Sequence, residues 1–333
     1  MKMIGKIKKE YSRFIKKQYN KLFGNFEPTI GHNVWSDLWK EYYYQNYSLI
    51  NDKIIALKAN LDKESRETVD KIFERYVFLL PLQKYKTSYI YKVNDFFSQE
   101  ELSEQKKITF IDETNYKLPQ GIYYEDSIFR YGHGIKLLPK NTLEYLKDKD
   151  IIDGGAFVGD SAIVFNNYTD KNIYSFEPDT GNFNKLQETI NLNNLKNKII
   201  PINLGLSDKN EEIKLYSTEF CQSVLVVTPE KLLNPTIIKT TSIDDFVEKN
   251  NLNPGLIKLD VEGNELEVIN GALNTIKKFK PVLLISIYHH PKDFFNIKPL
   301  IENLSLNYKF QIKKLNPFSP VYETMLIAFP EDV

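Results

Sequence analysis

The sequence lacks most of the features that mark a specialised class of protein. Its 333 residues include one cysteine, Cys221, so no disulfide forms within the chain, and Lys+Arg and Asp+Glu both number 44. The longest apolar runs, such as residues 282–288, are far shorter than the roughly 20 residues of a membrane-spanning helix. A disulfide-stapled miniprotein and a polyanion-binding surface are therefore disfavoured. We predict a globular, cytoplasmic protein without a nucleic-acid partner.

The first 22 residues depart from this neutral average, since they hold eight basic residues against the single acid Glu10. Apolar side chains recur there at helical spacing, which predicts a basic amphipathic helix. We favour a solvated basic face, and the alternative is peripheral contact with the inner face of an anionic membrane. No apolar core of a signal peptide follows the basic residues, so we expect no secretion.

Residues 1–107 form, on this pattern, a mainly helical accessory region. The periodicity predicts helices over residues 34–61, 63–80 and 98–105, the second ended by Pro81. Residues 108–140 read as an extended connector with a hairpin-like stretch at 121–138 that carries Arg130.

From residue 141 to 333 the pattern changes to strands alternating with helices, which is typical of an α/β fold with a parallel sheet. The predicted strands cover residues 151–152, 173–176, 199–202, 256–259, 282–288, 309–312 and 324–329. The predicted helices cover residues 161–168, 180–195, 243–250, 265–278 and 292–304.

A glycine-rich turn follows the first of these strands. Glycines there let a ligand approach the backbone, and the next helix offers free N–H groups. The positions of Gly154, Gly155 and Gly159 do not fit the spacing of a dinucleotide-binding turn. The acid Asp153 opens the turn, which suits a cationic ligand, and Glu177 ends the next strand, where an acid accepts the hydroxyls of a ribose. Together these features predict S-adenosylmethionine as the cofactor.

The predicted cofactor residues all lie at the ends of the first three strands: Asp153, Gly155, Gly159, Asp160, Ser161, Glu177, Asn203, Ser207 and Asp208. The last three are expected to border the adenine. A simple turn explains Ser207 and Asp208 almost equally well.

This pattern resembles the FkbM family of class I S-adenosylmethionine-dependent methyltransferases. The resemblance rests on Asp153-Gly-Gly-Ala-Phe-Val-Gly-Asp160, Tyr174-Ser-Phe-Glu-Pro178, Gly205-Leu-Ser-Asp208, Ile257-Lys-Leu-Asp-Val-Glu-Gly263 and Pro281-Val-Leu-Leu-Ile-Ser-Ile-Tyr-His289. It implies a seven-stranded, mostly parallel sheet flanked by helices with the last strand antiparallel, and O-methylation of hydroxyls, often on sugars. Phe157 stands where many relatives carry Asn.

Transfer to an alcohol needs a base or a metal, because a hydroxyl has a high pKa. Asp260 and Glu262 follow one strand and would share the mouth of a pocket in extended geometry, each as a base or a ligand. Glu262 could instead cap the next helix. His289, at the end of the following strand, would serve as base or as hydrogen-bond partner of the acceptor.

Four further residues are predicted to contact the acceptor: Tyr288, His290, Glu323 and Arg130. We expect no metal, although His289, Asp260 and Glu262 could supply three ligands, because no i, i+4 pair of ligands is present.

The sequence thus predicts an O-methyltransferase acting on a carbohydrate hydroxyl, in a surface glycan or glycoconjugate. The alternative is a catalytically silent scaffold of the same fold in a glycan-assembly complex. Methylation of RNA or protein is disfavoured by the neutral charge and by the lack of an aromatic-proline motif after the fourth strand.

Overall fold

A computed structural model describes residues 36–83, 115–215, 235–316 and 321–331. The predicted basic helix at the N-terminus, the predicted helix over 98–105 and Cys221 lie outside these residues. Ten strands are present in the described part of the chain: β1 Asp150–Gly154, β2 Ile173–Phe176, β3 Ile199–Ile202, β4 Gly205–Leu206, β5 Glu212–Leu215, β6 Thr236–Thr241, β7 Pro254–Leu259, β8 Val282–Ser286, β9 Tyr308–Lys314 and β10 Thr324–Pro330.

Seven of the strands form one sheet in the order β3-β2-β1-β7-β8-β10-β9. The first five run parallel to one another, whereas β10 pairs antiparallel with both β8 and β9. Strands β7, β8 and β10 are buried along their whole length, which is why they appear in the sequence as continuous apolar runs. The predicted seven-stranded fold with an antiparallel last strand is confirmed.

The α-helices of the described residues are α1 Ser36–Gln45, α2 Ile50–Lys58, α3 Lys63–Gln83, α4 Asp126–Phe129, α5 Lys140–Tyr145, α6 Asp160–Phe165, α7 Thr180–Leu192, α8 Ile243–Asn250, α9 Glu265–Asn270, α10 Leu273–Phe279 and α11 Pro291–Glu302. Each face of the sheet carries a separate hydrophobic core. One core includes residues of α1 to α3 together with α11, so the N-terminal helices belong to the same packed unit as the sheet.

Several boundaries differ from the prediction. The helix predicted over 34–61 is two helices, because the side-chain amide of Asn46 donates to the carbonyl of Tyr42 at the end of α1 and the chain turns. The helix α3 continues past Pro81, so this proline does not end it. The predicted helix over 265–278 is interrupted at Gly271. The backbone there passes so close to Ser207 that a Cβ on Gly271 would lie 2.4 Å from the carbonyl oxygen of Ser207.

The extended stretch predicted over 121–138 is wrong. These residues form α4 and a 3₁₀-helix, Gly132–Leu137, with no strand between. The turn at Gly132 to Gly134, where three consecutive residues have positive φ, breaks any strand there. The prediction also missed a small second sheet, in the order β4-β6-β5.

Candidate active site

The ends of four parallel strands meet at one edge of the sheet. Gly154 at the end of β1 is paired with Phe176 of β2 and with Leu259 of β7, and Leu259 is paired with Ile285 of β8. The strand order reverses at β1, and ligands of such sheets bind at this point. A cavity of about 520 Å³ lies here, which is ample for a small molecule.

The glycine turn after β1 forms one wall of this cavity. Gly155 has φ +72°, and a Cβ at this position would lie 1.8 Å from the carbonyl oxygen of Asp260. The backbone N–H groups of Gly155 and Ala156 donate to the carbonyl of Phe176. Only glycine fits this turn, and the turn touches the loop that carries Asp260.

Glu177 lies at the adjacent strand end and is almost fully buried. Its two carboxylate oxygens accept the backbone N–H groups of Phe157 and Asp179, at 3.0 and 2.9 Å. Burial raises the pKa of this carboxyl to about 8 despite these bonds. The turn residue Phe157, with φ +47°, therefore holds the predicted ribose acid in place through its backbone.

Asp153 lies behind the cavity and does not line it. It is fully buried, with its Oδ1 3.2 Å from Lys258 Nζ, and it accepts a hydrogen bond from the Ser161 hydroxyl at 2.8 Å. Lys258 Nζ also donates to the carbonyl of Gly155 at 2.7 Å. Asp153 and Ser161 are thus positioned to shape the glycine turn through Lys258, and direct contact of either with a ligand in the cavity is not supported.

Among the other predicted cofactor residues, Gly155, Asp160 and Glu177 line the cavity, whereas Gly159 lies beside it. Asn203 donates to the carbonyls of Glu177 and Pro178. Asn203, Ser207 and Asp208 do not line the cavity. The apolar part of the cavity lining consists instead of Phe176, Leu204, Leu206, Ile213, Leu215 and Ile238. The small sheet supplies most of these side chains, so missing this sheet also meant missing the apolar wall.

The cavity is also lined by Asp260, Glu262 and His289. The Nε2 atom of His289 is 3.5 Å from Asp260 Oδ1 and 3.5 Å from Glu262 Oε2. Glu262 is not in extended backbone, because β7 ends at Leu259 and Glu262 has φ +58°. The structure nevertheless brings the three predicted catalytic residues together.

Glu265, which the sequence analysis did not single out, completes this group. Its Oε1 is 2.8 Å from His289 Nδ1, and its carboxylate accepts the backbone N–H groups of Val261 and Gly263. Glu265 therefore holds the loop before α9. The alternative role of Glu262 as a helix cap is not observed, because the N-cap residue of α9 is Asn264. In the sequence, Glu265 could have been found as a further acid three residues after Glu262.

His289 is surrounded by acids. Burial alone would lower its pKa, but the charges of Glu265, Glu262 and Asp260 outweigh burial and raise the pKa to about 10. Burial raises the pKa of Glu262 to about 7. The acids around His289 therefore favour its charged form, which fits the predicted role of hydrogen-bond partner better than the predicted role of base.

The predicted acceptor residues divide into two pairs. Tyr288 and Glu323 line the cavity, and the Tyr288 hydroxyl donates to Glu323 Oε1 at 3.1 Å. His290 and Arg130 do not line it. The ring of His290 instead caps α11 by accepting the backbone N–H of Lys292. Burial lowers the pKa of His290 to about 4.

The connector contributes two residues that sequence reasoning missed. Glu125 lines the cavity and accepts a hydrogen bond from the Tyr322 hydroxyl at 3.0 Å. His133 also lines it, with φ +51° and an Nδ1 atom that has no hydrogen-bond partner. Burial lowers the pKa of His133 to about 3, so its ring is neutral. A histidine flanked by two glycines was the signal available in the sequence.

Oxygen and nitrogen atoms of Asp260, Glu265 and His289 lie within 4.8 Å of one another, a spacing compatible with a metal ion. No helix among the described residues combines the length and apolar character required to cross a bilayer.

Comparison with known proteins adds three findings. The family profile described as "Methyltransferase FkbM domain" matches residues 153–312. The hexuronic acid methyltransferase AglP of Haloferax volcanii is 30% identical over 178 residues, which cover 52% of this chain and 70% of AglP. The crystal structure of an FkbM methyltransferase from Methylobacillus flagellatus matches with a TM-score of 0.54 and 18% identity, over 89% of this chain but 62% of that protein. The chain therefore belongs to the FkbM family of methyltransferases.

Proposed function

We propose that this methyltransferase transfers the methyl group of S-adenosylmethionine to a hydroxyl of a sugar in a glycan or glycoconjugate. The observation that carries the proposal is a single cavity lined by two chemically distinct groups of residues. One group is the glycine turn with Glu177, and the other is Asp260, Glu262 and His289.

The glycine turn and Glu177 suit the cofactor. Gly155 leaves the space that a Cβ would fill, Glu177 is placed to accept the hydroxyls of a ribose, and apolar side chains of the small sheet suit an adenine ring. S-adenosylmethionine supplies an electrophilic methyl group on a sulfonium, and the carboxylates of the cavity favour that positive charge.

The acidic residues of the cavity favour a hydroxyl as the acceptor. A hexuronic acid, which the name of the Haloferax relative specifies, offers both hydroxyls and a carboxylate. A carboxylate that entered among Asp260, Glu262 and Glu323 would lose its hydration and would make the ionisation of these acids still less favourable. A neutral hydroxyl donates a hydrogen bond to such groups without this cost.

The residues of the chain have separate tasks in this reaction. The oxygen–carbon bond forms as the sulfur–carbon bond breaks, and the proton of the hydroxyl passes to Asp260 or Glu262. His289 keeps both carboxylates in place from 3.5 Å. The wall formed by Tyr288 and Glu323 holds the sugar ring. Positioning of this kind supplies much of the rate enhancement in a displacement.

The test is transfer of a radiolabelled methyl group from S-adenosylmethionine to glycans extracted from cells that lack the gene. We expect label on a sugar as an ether that survives mild alkali, whereas a methyl ester would be released. The variant Asp260→Asn should lose transfer by about 10²-fold or more, because proton transfer contributes 10²- to 10⁴-fold. The matched control Asp148→Asn, an exposed acid far from the cavity lining, should retain it.

Alkali-labile label would overturn the choice of a hydroxyl. A protein that does not bind S-adenosylmethionine in a calorimeter would overturn the proposal as a whole and favour the scaffold alternative.

A further inference from the structure

His133 is a buried histidine at the cavity, and its ring nitrogen Nδ1 has no hydrogen-bond partner. The residue lines the cavity and is 2% exposed. Buried polar atoms of folded proteins are almost always hydrogen-bonded, so an exception at a cavity indicates a ligand that supplies the partner. The proposed reaction gives this side chain no task so far.

The backbone around His133 holds the ring in its place. His133 has φ +51° and stands between two glycines that also have positive φ. The 3₁₀-helix Gly132–Leu137 contacts α6, the helix that follows the glycine turn, and it contacts β8 and β10 as well. Left-handed backbone is uncommon for residues with a side chain and occurs often at functional sites. The position of the ring is therefore set by the packing of the turn that carries it.

The charges that act on His133 indicate that it lies near the glycine turn. Burial is the main cause of its lowered pKa, the charge of Lys258 lowers this pKa further, and the charge of Asp260 raises it. Lys258 donates to the carbonyl of Gly155, and the carbonyl of Asp260 occupies the place of a Cβ on Gly155. Both charged residues adjoin the glycine turn, so His133 lies in the neighbourhood of this turn.

The proposed cofactor brings a negative charge into an acidic cavity. S-adenosylmethionine ends in an amino acid, whose α-carboxylate is ionised at neutral pH. The described residues that line the cavity include six acids: Glu125, Asp160, Glu177, Asp260, Glu262 and Glu323. A carboxylate buried among such groups without a hydrogen-bond donor would be costly. The chain must therefore supply an N–H group to it.

The backbone donors of the glycine turn are already engaged. The N–H groups of residues 155, 156, 157, 159 and 161 all donate to oxygen atoms of the chain. Two cationic side chains at the cavity are engaged as well, since Lys258 is bonded to Gly155 and paired with Asp153, and His289 contacts Glu265. These groups have their own partners.

Two neutral side chains with N–H groups also line the cavity, namely Asn182 and His133. Asn182 is in the first turn of α7, where its backbone N–H donates to Asp179, and the N–H of Asp179 donates to Glu177. Asn182 therefore lies near the predicted ribose acid. A neutral imidazole carries one proton on either nitrogen, so Nδ1 of His133 can donate to a carboxylate.

We propose that His133 binds the α-carboxylate of S-adenosylmethionine through its ring nitrogen Nδ1. The inference rests on the proposed function, because it names a contact of the proposed cofactor. It assigns a binding residue that precedes the family match, which begins at residue 153. The ammonium and sulfonium groups of the cofactor are positive and suit the acids of the cavity.

The test compares two ligands that differ in this carboxylate, S-adenosylmethionine and decarboxylated S-adenosylmethionine. Each is titrated into the full chain in a calorimeter, without acceptor, so that the readout is binding and not activity. His133→Ala should weaken binding of S-adenosylmethionine by about 10- to 100-fold, the usual contribution of a hydrogen bond to a charged group. The same variant should bind the decarboxylated ligand as the unmodified chain does, which also shows that the site is folded.

Two variants of matched size separate the hydrogen bond from the effect of charge. Asparagine and aspartate both tolerate the positive φ of this position. His133→Asn keeps an N–H donor close to the place of Nδ1 and should retain most of the affinity for S-adenosylmethionine. His133→Asp replaces the donor by a carboxyl group and should bind this ligand at least as weakly as His133→Ala. The surface control Asp148→Asn should bind both ligands as the unmodified chain does.

Equal weakening of both ligands in His133→Ala would overturn the inference, because the ring would then not recognise the carboxylate. Unaltered binding of S-adenosylmethionine by this variant would overturn it too. The Asn and Asp variants decide the question if His133→Ala does not fold, since equal affinities of these two for S-adenosylmethionine would contradict a donor at this position. An unmodified chain that binds neither ligand would instead contradict the proposed function.

Discussion

Lys258 joins two parts of the site that lie on different strands. It is a buried lysine within the apolar strand β7, bonded to the carbonyl of Gly155 and paired with Asp153. Burial alone would lower its pKa, but Asp153, Asp260 and Asp160 outweigh burial and raise it. Lys258 thus remains charged and fixes the glycine turn.

Removing one member of this pair should destabilise the protein strongly. Lys258→Met leaves the carboxylate of Asp153 buried without its counter-ion, which costs about 3–5 kcal/mol. Asp153→Asn should be destabilising in turn, and the double variant should be less unstable than the sum of the two. Urea denaturation of the four proteins measures the coupling. Additive losses would show that the two side chains do not depend on each other.

The residues that sequence reasoning found and missed differ in a physical way. Asp260 directly follows the apolar strand β7, and His289 lies shortly after the apolar strand β8, so the parallel sheet alone brings them to one edge. Lys258, Glu265 and His133 act through contacts that only the folded chain creates. The sequence also could not show that three acids would raise the pKa of His289, because Glu265, the first residue of α9, is 24 residues away in the chain.

At the scale of elements, the N-terminal helix α1 supports the segment between β8 and His289. The indole Nε1 of Trp39 donates to the carbonyl of Tyr288 at 2.9 Å in a buried contact. The Trp39 ring also packs edge-on against Phe294 of α11, with centroids 5.2 Å apart. A helix outside the family match therefore contacts the residue next to His289.

Trp39→Phe isolates this hydrogen bond, because it keeps an aromatic ring and removes the donor. We expect a loss of about 1–3 kcal/mol in the free energy of unfolding, since the buried carbonyl of Tyr288 loses a partner. The matched control is Tyr47→Phe, which removes one polar group from an aromatic ring in the turn that follows α1. Tyr47 is 67% exposed. That control should change stability by no more than about 0.5 kcal/mol. Equal losses in denaturant titrations of the two variants would contradict this role of Trp39.

The elements whose apolar pattern is clear in the sequence were predicted with the right bounds. Strands β2 and β3 and helix α8 have the predicted bounds, because apolar periodicity and clear ends coincide there. The strand β4 has two residues, too few for a period to show. The turn around His133 depends on packing, since a Cβ on Gly134 would lie 2.7 Å from the side chain of Ile327.

At the scale of the whole molecule, the equal numbers of acids and bases conceal an uneven distribution. The cavity gathers buried acids, and burial raises the pKa of Asp160 and Glu262 to about 7 and of Glu177 and Glu323 to about 8. The proposed cationic cofactor would lower these pKa values, because a positive charge favours the ionised carboxylates. It also links stability to pH.

The direction in which stability changes with pH depends on how many protons the folded and the unfolded protein hold. Between about pH 4.5 and 8 the folded protein keeps protons on these carboxyls that the unfolded chain releases, so their contribution to stability falls as pH rises. His289, with its pKa raised to about 10, acts in the same direction above its ordinary pKa. Burial lowers the pKa of Lys314 to about 7, so this group opposes the others above that pH. His133 and His290, with pKa values lowered to about 3 and 4, oppose the fall only below their ordinary pKa near 6.5.

We therefore expect the thermal unfolding midpoint of the protein to decrease as the pH rises from 7 to 8.5, when it is measured with a chelator present and without cofactor. Glu323→Gln should reduce the fall, because glutamine still accepts the hydrogen bond from Tyr288 but has no proton to release. Glu331→Gln, on a surface ion pair with Lys309, should leave it unchanged. Calorimetric scans at a series of pH values measure all three proteins. A midpoint that rises with pH, or a Glu323→Gln variant with the unaltered pH dependence, would show that these carboxyls are ionised in the folded state at neutral pH.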